Sequence, residues 1–154
     1  MLVLAGNIDD TMGGPATELD LPSNRRRTLY GKVGRDEQND LLRLYDFPPP
    51  TSHSPSRDAT TTPLQQLFVL NSEFVEEQAR VLADRLHREA NQSSSGDQIA
   101  RCYQILFQRL PTEEETRLGE GFLKQSGDNV ASESSRWIQY IQSLLGLNEL
   151  FFVD

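Results

Sequence analysis

Proline placement constrains this chain more than any other feature. Six of the eight prolines precede residue 60, including the run Pro48-Pro49-Pro50, and each removes a backbone donor and blocks helix propagation. Residues 1–62 are therefore expected to be mainly irregular, with Gly13-Gly14-Pro15 as a turn. Within them, Thr28-Leu29-Tyr30-Gly31-Lys32-Val33 mixes β-branched and aromatic residues with others and reads as a short strand. Asp36 to Asp46 reads as a short helix anchored by Leu41, Leu42, Leu44, Tyr45 and Phe47. Pro48 to Thr62 has almost no apolar side chain and is expected as an exposed strap. Met1 to Ala5 reads as the last turn of a helix that begins upstream of this chain, with Gly6 or Asn7 as its stop.

From Pro63 onward the apolar residues adopt the helical period. Thr62-Pro63-Leu64-Gln65 is a capping box with proline at the first helical position, and Leu64, Leu67 and Phe68 give that helix an apolar side. Asn71-Ser72 offers the next N-cap, followed by Glu73, Glu76 and Glu77, whose charges suit a helix N-terminus. Val75, Ala79, Leu82 and Leu86 then share one face of a helix reaching about Ala90. Beyond a connector at Asn91 to Gly96, Ile99, Cys102, Tyr103, Leu106 and Leu110 trace another face, ended by Pro111. Thr112 to Glu115 forms a second capping box for a helix with Leu118, Phe122 and Leu123 as contacts and Gly127 as its stop. Asp128-Asn129 caps the last helix, in which Val130, Trp137, Ile138, Ile141, Leu144 and Leu145 form the buried stripe. The apolar end, Leu147 to Asp154, is expected to dock, because burying such side chains contributes roughly 1.5–3 kcal/mol each. The expected fold is mainly α: about four helices in a small array, preceded by an irregular Pro/Gly-rich segment with a short strand. Residues 1–62 would pack on an upstream domain and residues 63–154 would form the helical domain.

The charge balance excludes several functions. With 15 basic and 23 acidic side chains the net charge is −8, a field that repels phosphate backbones and anionic membranes, so no nucleic-acid partner is expected. The opening apolar stretch is too short for a signal-peptide core or a membrane span, and no membrane insertion is expected. Cys102 is the single cysteine, which rules out an intrachain disulfide, a Cys-rich zinc site and a Cys-x-x-Cys-His haem attachment. It falls on an apolar stripe, as a buried small hydrophobe would. His53 and His87 lack companions at metal-ligand spacing. Glu76-Glu77 and Glu113-Glu114-Glu115 are explained by helix capping and the helix dipole rather than by acid–base work. No Gly-x-Ser-x-Gly elbow occurs, and Gly31-Lys32-Val33-Gly34 lacks the spacing of a phosphate loop. Trp137 and Tyr140 have the spacing of core residues rather than of a sugar platform.

Four phrases occur in order: Asp10-Thr11-Met12-Gly13-Gly14-Pro15, Asn24-Arg25-Arg26-Arg27-Thr28-Leu29-Tyr30, Leu44-Tyr45-Asp46-Phe47-Pro48 with Thr60 to Asn71, and Leu147 to Asp154. Together they resemble the C-terminal domain of unknown function in the large planctomycete-type proteins that carry a cytochrome-c-like haem domain near the N-terminus. The resemblance implies a large, exported, multidomain parent, with upstream domains of that parent as partners and any haem bound there. It carries no catalytic residues over to this chain. The function expected is a non-catalytic structural or interaction module. The alternative is an enzyme site completed by upstream residues, for which Arg25, Arg26, Asp46, Asn71 and Glu149 gathered around one cleft would be the sign.

Overall fold

The computed structural model describes residues 1–34, 38–49, 51, 60, 62–89, 94–124 and 133–151. Seven α-helices occur among them: α1 (Leu2–Ala5), α2 (Asp40–Leu44), α3 (Pro63–Asn71), α4 (Glu73–Glu89), α5 (Ser95–Phe107), α6 (Glu113–Lys124) and α7 (Glu133–Leu145). Single 3-10 turns occupy Thr28–Tyr30 and Asn148–Leu150. The chain is mainly helical, with five helices from Pro63 onward rather than about four.

Helices α4 and α7 form the central pair. Helices α3 and α5 each touch both members, α6 packs on α5 and α7, and α1 packs on α4. The stripe Val75, Ala79, Leu82 and Leu86 is buried as its spacing demands, and so are Ile99, Cys102, Tyr103 and Leu106 on α5. Trp137, Ile141, Leu144 and Leu145 close the core from α7, with Ile138 packed against its edge. Ala5 belongs to the same buried cluster, so the first turn of the chain is part of the helical core.

The helix ends follow local chemistry. Gly6 stops α1 in the left-handed region at φ 74°, where a side chain would be strained. Thr62 and Gln65 exchange hydrogen bonds in the expected capping box, with Pro63 at the first helical position. Thr112 and Glu115 do the same at α6. A third box, Ser94 with Asp97, starts α5 inside what reads in sequence as a connector.

Several expectations are corrected. Residues 28–33 do not form a strand. Tyr30 and Gly31 donate their N–H groups to the carbonyls of Arg27 and Thr28, a local turn that occupies the donors a ladder would need. Only isolated parallel bridges remain there, Asp9 with Arg26 and Thr17 with Gly31. On α3 the inward residues are Gln65 and Val69, with Phe68 at the edge of the core, while Leu64 and Leu67 are exposed. Gln65 goes inward because its amide donates to the Leu44 carbonyl at 2.9 Å, satisfying a polar group in the interior. Leu110 lies beyond the end of α5, which Gln108 breaks in a left-handed conformation, and is exposed. On α6 the buried residue is Gly119, and Leu118 faces outward. Expectations for residues 35–37, His53 and most of the strap, Asn91 to Ser93, Gly127 to Val130, and Phe152 to Asp154 lie outside the described residues.

Gly119 explains how α6 seats. A Cβ there would meet the Tyr140 hydroxyl at 2.6 Å and Ile99 Cδ1 at 3.0 Å, so only glycine lets this helix approach α5 and α7 so closely. Gly121, two residues on, has open space around it. Gly119→Ala should therefore lower stability by about 1–3 kcal/mol through overpacking. Gly121→Ala should raise it by up to about 1 kcal/mol through helix propensity. Urea unfolding of both variants checks this; a neutral Gly119→Ala would show that α6 does not rest on Tyr140.

Candidate functional site

Two hollows meet at Ile8, which lines both. The first, about 620 Å³, is polar and lies among the N-terminal loops, with Asn7, Asp9, Thr17, Asn24, Arg25 and Arg26 in its wall. Arg26 organises it. Its guanidinium donates to the carbonyls of Thr11, Gly13 and Pro15 and stacks 4.1 Å from the centre of the Tyr30 ring. Gly13 and Gly14 turn the chain around it at φ 78° and 91°. The Tyr30 hydroxyl in turn accepts from the Gly13 N–H at 3.1 Å. Asn24, buried, accepts from the Arg26 N–H and donates to the Leu19 carbonyl. Asp9 accepts from the Thr11 N–H at 2.9 Å, and hydrogen bonding from Thr11, with a smaller contribution from Arg26, holds its carboxyl below the ordinary range.

Most polar groups in this hollow are thus committed to holding loops together. Thr17 Oγ1 and Arg26 Nε have no hydrogen-bond partner, but both atoms are closed off from solvent and present nothing to a ligand in the hollow. Arg25 leaves its side chain exposed, and its carbonyl accepts from the Asp9 N–H.

The second hollow, about 600 Å³, is an apolar groove. Leu2 and Val3 of α1, Leu29 of the 3-10 turn, Leu41 of α2, Phe68 of α3 and Phe151 form its walls. Leu29 is 76% exposed and Val3 67%, so these are uncovered surface and not core. Arg27 is the one charged side chain in the lining.

The five residues that sequence marked as a polar cluster have separate local partners. Arg25 and Arg26 share the polar hollow. Asp46 sits at φ 54° after α2 and accepts from the N–H and hydroxyl of Thr60, which lowers its carboxyl below the usual value and closes a turn. Asn71 donates to the Leu67 carbonyl of its own helix. Glu149 belongs to a fork at Arg109, whose guanidinium contacts Glu149 at 2.6 and 2.8 Å and Glu115 at 2.8 Å twice. The five share no hydrogen bond or ion pair with one another.

Residues 1–123 match PSD1, a family described as a protein of unknown function (DUF1553). The chain belongs to the PSD1 family. No curated protein and no solved structure matches it. The PSD1 match takes in the whole lining of the polar hollow and all of the apolar groove except Phe151, whereas Trp137, Tyr140 and Glu149 lie beyond it.

Among the described residues no group of three or more His, Cys, Asp or Glu could hold a metal ion, and no helix is long and apolar enough to cross a membrane. Cys102 is fully buried, and burial pushes its thiol up to about 12, far from a reactive thiolate. Sequence reasoning missed the groove and Arg109. The groove's residues come from distant segments, and the partners of Arg109 lie 6 and 40 positions away.

The Arg109 fork gives a pH signature. Its hydrogen bonds lower the Glu115 carboxyl from 4.5 to about 2, so the stabilisation is complete above about 4.5 and is lost as pH falls toward 2. Glu115→Gln keeps the capping oxygen but removes the charge. That variant should be less stable than the parent chain at neutral pH, with the difference closing between pH 4.5 and 2. Urea midpoints across that range check it; a gap independent of pH would mean the fork adds no charge-linked stability.

Proposed function

We propose that this PSD1 chain is a non-catalytic interaction module of a larger exported protein, the planctomycete-type parent whose cytochrome-c-like domain lies near its N-terminus. In this reading any haem is bound upstream, the compartment is extracytoplasmic, and the chain's partners are other domains of the same parent. The observation that carries the reading is the apolar groove, an uncovered surface to which α1, the 3-10 turn at Thr28–Tyr30, α2, α3 and α4 all contribute. Exposed apolar surface of this kind, bordered by polar residues, is characteristic of protein–protein contact. The alternative, an enzyme site completed by upstream residues, has less support, because the polar groups of the loop hollow are largely bonded to its own backbone.

A dye that reports exposed apolar surface tests the reading. The folded chain should enhance the fluorescence of 8-anilinonaphthalene-1-sulfonate, and Leu29→Asp or Val3→Asp should remove most of that signal. Both positions are largely exposed, so the thermal midpoint should scarcely change. Signal that survives both substitutions would locate the apolar surface elsewhere and sink the reading.

A further inference from the structure

We infer that the groove takes an apolar polypeptide segment from another domain of the parent protein, one that carries a carboxylate placed to meet Arg27. The inference rests on the interaction-module reading and adds the chemistry of the partner. Leu2, Val3, Leu29, Leu41 and Phe151 offer apolar contacts on several sides, and about 600 Å³ is room for a few bulky side chains. Arg27 is exposed and forms no ion pair with any described residue. Elsewhere in the chain, arginines next to carboxylates are paired with them, as Arg80, Arg85, Arg101 and Arg109 are. A guanidinium at the border of an apolar surface is a two-pronged donor for a carboxylate, and as the lining's single charged side chain it favours one direction in which a segment lies. A second copy of the chain is the poorer occupant, because two molecules of net charge −8 repel each other.

Peptides selected from a random display library on the full chain, then synthesised for titration, provide the test. The expected peptides combine bulky apolar residues with an aspartate or glutamate. Their affinity should fall about tenfold or more on Leu29→Asp and roughly three- to tenfold on Arg27→Glu. Replacing the peptide's acid with lysine should restore binding to Arg27→Glu. Apolar peptides with no charge preference, indifferent to Arg27→Glu, would overturn the carboxylate inference while leaving the docking reading intact. If no peptide responds to Leu29→Asp, both fail. Two further results overturn the inference: a dimer that Leu29→Asp converts to monomer, making a second copy the occupant, or binding that begins only after residues 152–154 are deleted, making the chain's own end the occupant.

Discussion

The contact between α4 and α7 supports the rest of the structure, and Trp137 is at its centre. That side chain is almost fully buried, with the rings of His87 from α4 and Tyr140 nearly perpendicular to it at 5.9 and 5.8 Å between ring centres. Leu82, Leu86, Ile141 and Leu145 surround the same interface, each contributing roughly 1.5–3 kcal/mol when buried. Isolated helices shorter than about 12–15 residues are marginal in water, so α1, α2 and α3 exist because they rest on this pair or on one another. Helix α1 shows how. Ala5 enters the core, Arg85 of α4 donates to the Leu4 carbonyl at 3.3 Å, and Asn7 donates to Gln78 just beyond the helix. A cation at the C-terminal end of α1 also complements its dipole.

The loops are held by different means. Apart from Leu19 and its neighbours they have little to bury, and their order comes from hydrogen bonds to Arg26, Asn24 and Tyr30. A single guanidinium that satisfies three carbonyls does for an irregular segment what a ladder does for a strand. Such a loop cluster is specific in shape, and most of its polar groups are already bonded within the chain. Arg26 is the clearest case: its guanidinium is a structural clasp for loop carbonyls.

The legible parts of the sequence were those governed by long, regular periodicity and by capping pairs. The stripe Val75, Ala79, Leu82, Leu86 extends over several turns, so one face is favoured unambiguously. On α3 and α6 the apolar count misleads. Gln65 and Gly119 are buried there, one drawn in by a carbonyl of α2 and the other by the need for close approach, and neither effect has a period. The strand at residues 28–33 is absent for a related reason: its β-propensity is real, but a local turn holds the N–H groups of Tyr30 and Gly31, and pairing shrinks to one bridge with Thr17. The Arg109 fork was illegible because Arg109 and Glu149 are distant in sequence, and only the path of the chain brings them together.

The same limits explain why the groove stays open. Each wall is held in place by its own bonds: α1 by α4, the 3-10 turn by the carbonyls of Arg27 and Thr28, and α2 by the Asn39 cap, whose side chain accepts from the Leu41 N–H. Closing the groove would require one wall to break such bonds and move toward the others. Burying one more leucine, worth about 1.5–3 kcal/mol at most, does not clearly exceed the cost of leaving backbone groups unsatisfied. An arriving segment faces no such conflict, since it can cover Val3 and Leu29 without disturbing a hydrogen bond already made. The groove is therefore a stable feature of this fold, and binding can use it without remodelling the chain.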